Sequence, residues 1–100
     1  MLSVITSYLF IVVPTSYYAF LTLPFEQQLP LVWSEGSFLA RRWEEEDAVA
    51  LYLMDGGFFC EVYLEQEEYS VLEVLAFATT DTERLEPYTY YIQLNDLTDA

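Results

Sequence analysis

Short β-rich runs separated by acidic clusters dominate the chain from Ser37 to Phe77. In "SFLARRW" (37–43), Phe38, Ala40 and Arg42 alternate with Leu39, Arg41 and Trp43, the two-residue period of a strand. "EEED" (44–47) predicts a turn, and "AVALYLM" (48–54) a second strand. The sharpest local signal is "MDGG". Asp-Gly between two β-rich runs predicts a two-residue type I′ hairpin at Asp55-Gly56. That register sets Leu53 opposite Phe58, Leu51 opposite Cys60 and Val49 opposite Val62, all on one apolar face. The other face pairs Tyr52 with Phe59 and Ala50 with Glu61, with Ala48 near Tyr63. A one-residue slip reverses this assignment. "EQEE" (65–68) turns the chain again, and "YSVLEVLAF" (69–77) predicts a fourth strand. A three-residue loop there puts Leu72, Val74 and Ala76 on the core face and leaves Glu73 outside. A two-residue loop buries Glu73, and the cost of burying a charge rejects it.

Ahead of the strands, the spacing predicts a helix over about 24–35, with Pro24 in its first turn and a kink at Pro30. Leu29, Val32 and Trp33 share a face at i, i+3 and i+4. Gly36 is expected to end the helix in a left-handed conformation. After the strands, "TTDTER" (79–84) predicts a loop, and Glu86-Pro87 opens a short helix through about Leu94. The expected class is α+β, in the order α-β-β-β-β-α: an N-terminal helix, a four-stranded antiparallel meander and a short C-terminal helix.

The chain is 100 residues long, enough for one domain, and residues 1–24 carry no charged side chain. Residues 1–23 meet the length of a spanning helix, but Ser and Thr dilute them, Pro14 interrupts them and no Lys or Arg flanks them. Neither the positive start nor the small-residue cleavage spacing of a signal peptide is present. "VITSYLFIVV" (4–13) reads equally as a buried strand. Three readings stand for residues 1–23: a membrane anchor or export segment, a packed element, or a dispensable extension. Residues 24–100 form the expected domain.

Charge then narrows the function classes. Seventeen acids face three cations, Arg41, Arg42 and Arg84, for a net charge of −14. Direct nucleic-acid binding needs cations to neutralise phosphates, so it is not expected. A membrane is expected as a partner only through residues 1–23. The chain has no His, which removes the commonest general base and metal ligand. Its glycines, 36, 56 and 57, make no phosphate loop. The lone Cys60 has no disulfide partner, so nothing demands an oxidising compartment. A non-enzyme without cofactor or metal, in the cytoplasm, is the expectation; membrane anchoring is the alternative.

"LVWSEGSFLA" (31–40), "VALYLMDGGFFCEVY" (49–63) and "LEPY" (85–88) leading to "IQLNDL" resemble a family of short, uncharacterised bacterial proteins. The resemblance covers about residues 25–97 and implies a small compact domain beginning near Leu23, with no activity to carry over. The doubled Gly56-Gly57 departs from that family's hairpin and leaves room for a bulge.

The candidate site is the outer sheet face: Tyr52, Phe59, Glu61, Tyr63 and Glu73. It reads as an aromatic and acidic surface for a homodimer or a protein partner. The competing reading is a solvated sheet face with cross-strand aromatic pairs. An acidic inhibitor that masks a basic partner, and a membrane-tethered domain, are the alternatives. Carboxylate catalysis by Glu61 and Glu73 ranks last.

Overall fold

The computed structural model describes residues 13–89. A short helix α1 (Tyr17–Leu21) begins at Ser16, whose side chain accepts from the Ala19 N–H. Helix α2 (Phe25–Glu35) follows, with Pro24 as its N-cap. Pro30 lies inside α2 without ending it. Four strands come next, β1 (Gly36–Glu44), β2 (Asp47–Met54), β3 (Phe58–Glu65) and β4 (Val71–Ala78). Each pairs antiparallel with its sequence neighbour, in the order β1-β2-β3-β4. The chain then forms a strap across the sheet, helix α3 (Thr82–Leu85) and a 3₁₀ turn (Glu86–Tyr88). This is the expected α+β meander. The strand expected at 4–13, apart from Val13, and the helix end beyond Thr89 fall outside the described residues.

The sheet separates two cores. Phe20 and Val32 from the helices pack on Met54, Phe58, Cys60, Val62 and Val74. On the opposite face Ala40, Leu51, Phe59 and Phe77 are covered by Tyr88 and Leu85 of the strap. Both faces of β2 and β3 are therefore buried. Between their terminal Asp47 and Glu65 these strands are accordingly apolar, with Glu61 the one charged residue inside them.

Five local expectations are corrected. The β2–β3 loop has three residues, because Gly57 adopts φ 86° and donates to the Met54 carbonyl at 2.9 Å. The register slips by one: Met54 pairs Phe58, Tyr52 pairs Cys60 and Leu51 pairs Glu61. Gly36 is extended, with φ −103° and ψ 145°, and begins β1. Its missing side chain serves close approach, since a Cβ there would sit 2.6 Å from the Val32 carbonyl oxygen. The segment expected as a loop at 79–84 holds α3, capped by Asp81, whose carboxylate accepts from the Arg84 N–H. In β4 a bulge beside Tyr63 and Leu64 gives Val71 the inward place expected of Leu72, which is exposed.

The break expected at Pro24 is not where packing stops. Phe20 is fully buried and its ring lies 5.3 Å from that of Phe58. The Thr15 N–H and hydroxyl both donate to the Glu35 carboxylate, at 2.8 and 3.1 Å. Among the described residues no helix is long and apolar enough to cross a membrane.

Cys60 is fully buried on the helix side of the sheet, and burial pushes its thiol up from 9.0 to about 12. The thiol stays neutral in the fold, whereas the unfolded chain ionises near 9. Its contribution to stability is thus complete below pH 9 and is lost as pH rises toward 12. Folded protein at pH 8 is expected to resist a thiol-specific disulfide reagent for as long as it stays folded, and to react at once in denaturant. Stoichiometric labelling within the mixing time under native conditions would contradict the burial.

Candidate functional site

The register slip divides the residues expected to share a face. Phe59, Glu61, Tyr63 and Glu73 lie on the strap side, with Tyr63 paired to Glu73. Tyr52 pairs with Cys60 and points to the helix side. Phe59 and Glu61 are 2% and 1% exposed, so the strap, and not a partner, covers them.

Glu61 is instead the centre of a polar cluster inside the fold. Arg84 Nη2 donates to Glu61 Oε1 at 2.6 Å. Tyr88 OH and Arg42 Nη2 both donate to Oε2, at 2.6 and 3.1 Å. Arg42 also pairs with Glu44 at 2.7 Å and lies 5.3 Å from the centre of the Tyr88 ring. Arg84 lies 5.4 Å from the centre of the Phe77 ring. Two of the three cations in the chain thus converge on one buried carboxylate. Burial, and then the bond to Glu61, raise the Tyr88 phenol above its ordinary 10.0. Tyr63 is raised by burial and then by Glu61 and Glu44. Both phenols therefore stay protonated at neutral pH; Tyr88 donates to Glu61, and the Tyr63 oxygen accepts from Arg42 Nη2 at 3.4 Å.

A shallow cleft of about 200 Å³ opens beside this cluster, lined by Arg42, Glu44, Glu61, Tyr63, Arg84 and Pro87. Its two guanidiniums are matched by its two carboxylates. Both Glu61 oxygens are occupied by cationic or phenolic donors. Glu73, the second acid of the expected pair, is exposed and lies opposite Tyr63, while Leu75 stands opposite Glu61. Among the described residues no group of three His, Cys, Asp or Glu is placed to hold a metal ion. Through Arg84 and Tyr88 the cluster ties the strap to the sheet.

The exposed aromatic residues gather elsewhere. Trp33 of α2 and Phe38 of β1 both meet Tyr52 edge-on, with ring centres 5.6 and 5.7 Å apart. Phe38 and Trp43 flank Arg41 on the helix side of β1, which is an edge strand among the described residues. Trp33, Phe38 and Trp43 are 52%, 54% and 58% exposed. No acid lies between Gly36 and Trp43, and Arg41 makes no ion pair among the described residues.

Charge follows the same division. Residues 13–43 contain two acids and two arginines, whereas residues 44–89 contain thirteen acids and one arginine. Seven of these acids crowd one end of the sheet: Glu44, Glu45, Glu46 and Asp47 at the first hairpin, and Glu65, Glu67 and Glu68 at the third. Asp47 and Glu65 stand directly opposite one another. Glu65 also accepts from the Glu67 and Glu68 N–H groups, so that acid shapes its own turn.

The sequence pointed to the exposed edge only through its abundance of rings. The buried cluster had a plainer signal, a single acid in "FFCEVY" in a chain with three cations. Compared with protein-family models, curated proteins and solved structures, the chain matches none.

Proposed function

We propose that the protein is a non-catalytic interaction module that binds protein through the neutral, aromatic side of its surface. One observation carries the reading. Of nine large apolar side chains exposed among the described residues, seven lie between Val13 and Trp43, where acids and arginines cancel. Aromatic residues are enriched and charges depleted at the centres of protein interfaces. Of the residues first expected on the surface, Tyr52 belongs to this edge; Phe59, Glu61, Tyr63 and Glu73 do not. The absence of His and the full engagement of Glu61 support a role without catalysis. The lone buried thiol supports a cytoplasmic setting.

The test is light scattering and pull-down of the full chain beside a Trp33→Ala/Trp43→Ala variant. Self-association or partner capture by the parent, reduced at least tenfold in the variant, is expected. Equal behaviour of both overturns the reading, and so does selective binding of the parent to zwitterionic vesicles without protein association.

The acidic end of the sheet favours a second reading, an inhibitor that covers a basic partner. Salt separates the two. Binding driven by those carboxylates weakens steeply as ionic strength rises, whereas apolar association does not.

A further inference from the structure

We infer that the partner on this surface is a second copy of the chain, set edge to edge along β1 about a two-fold axis near the middle of that strand. The inference rests on the interaction reading above and names its partner. Phe38 and Trp43 stand on one side of the edge strand, near its two ends, with Arg41 between them. A two-fold axis between them makes the strip face itself in reverse, so the rings of one copy meet the rings and Arg41 of the other twice over. Closed dimers with such isologous interfaces are the commonest oligomers. An Arg guanidinium packed against an aromatic face adds a favourable cation–π contact.

Charge argues for a second copy over a foreign chain. A basic partner is drawn to the thirteen-acid half, away from this edge. Two copies, each carrying −14, repel across their acidic halves and can meet closely only where acids are scarce. A two-fold axis at the middle of β1 sets the acidic hairpin Glu44–Asp47 of one copy at the opposite end of the contact from that of the other. The opposite edge strand, β4, carries exposed Glu73 beside Leu72 and offers no comparable strip. The irregular register at Phe38–Ala40 interrupts a continuous backbone ladder, so the contact runs through side chains and not by extending the sheet. The same bulge limits further growth into aggregates.

Two single-cysteine probes test the geometry in the full chain, where Cys60 is buried and does not compete. Arg41→Cys lies near the proposed axis, and Leu72→Cys lies on the far edge. The expected result is a dimer by light scattering that tightens or holds as salt rises. Arg41→Cys should cross-link between copies with a short bis-maleimide and Leu72→Cys should not. Phe38→Ala and Trp43→Ala are each expected to weaken the dimer tenfold or more. A dimer that cross-links only through Leu72→Cys, or that ignores both ring deletions, overturns this interface and leaves the interaction reading standing. A monomer that captures a different protein through Trp33 and Trp43 overturns the second copy alone. A monomer that captures nothing overturns both. Should Arg41→Cys itself dissolve the dimer, the two ring deletions decide.

Discussion

Glu61→Ala is expected to lower the free energy of unfolding by about 3 kcal/mol, near the low end for breaking a buried ion pair. The variant removes one carboxylate and leaves two guanidiniums and a buried phenol without their acceptor. The loss sits at the low end because Arg84 is 40% exposed and can turn to solvent, while Arg42 keeps Glu44. Tyr88 has no such outlet, being fully buried. Arg84→Ala should cost roughly 1 kcal/mol, since Glu61 keeps Arg42 and Tyr88. Arg41→Ala, which breaks no ion pair, should fall within about 0.5 kcal/mol of the parent. Urea unfolding measures all three. Hydrogen exchange adds the location: in Glu61→Ala, protection should fall first in the strap at 82–88 and persist in β2 and β3. A loss below about 1 kcal/mol, or exchange that rises evenly across the sheet, would show that the carboxylate does not hold the strap.

Phe20→Ala is expected to be at least as damaging, at about 3–5 kcal/mol. Phe20 is fully enclosed between the helices and the sheet and leans on Phe58. Deleting its ring opens a cavity in the larger core, in a domain whose whole stability is typically about 5–15 kcal/mol. A chain begun at Leu23 loses that ring, the Tyr17 contact with Phe58 and both Thr15 bonds to Glu35. It should therefore bind a hydrophobic dye and aggregate where the full chain does not. Phe20→Leu should retain more than half of the lost stability. A chain begun at Leu23 that matched the full chain's urea midpoint would make residues 13–22 dispensable, against the burial of Phe20 and the contacts of Thr15 and Tyr17.

The glycines show where sequence reading reached its limit. Alternation and the Asp-Gly signal located the strands and the second hairpin. They did not distinguish two roles for neighbouring glycines. Gly57 supplies the positive φ, while Gly56 is required because a Cβ there would overlap the Thr15 carbonyl. Thr15 lies forty-one positions earlier, so no local pattern carries that contact. The resulting slip of one residue moved Tyr52 away from Phe59, Glu61, Tyr63 and Glu73. It also placed Glu61 under the strap, beside arginines distant in sequence. The cost of an unpartnered buried acid turns Glu73 outward, because an outward register exists for it. For Glu61 the same cost is met only because "TTDTER" folds over the sheet. That segment read as a loop because its helical turn has no buried residue of its own. Tyr88, one turn further on, supplies the burial. The edge aromatics were legible as residue types, but their exposure depends on which strand is left without a neighbour.

The order in which the partners of Glu61 appear along the chain also bears on synthesis. Among the described residues all strand pairing joins consecutive strands, a topology of local contacts that favours rapid folding. Glu61 emerges nineteen residues after Arg42 but twenty-three before Arg84 and twenty-seven before Tyr88. A nascent sheet thus meets its first counter-ion at once and waits for the donors that close its second face. Contacts made last on such a route act chiefly on the rate of opening, so the strap governs how long the finished molecule stays folded more than how quickly it first becomes so.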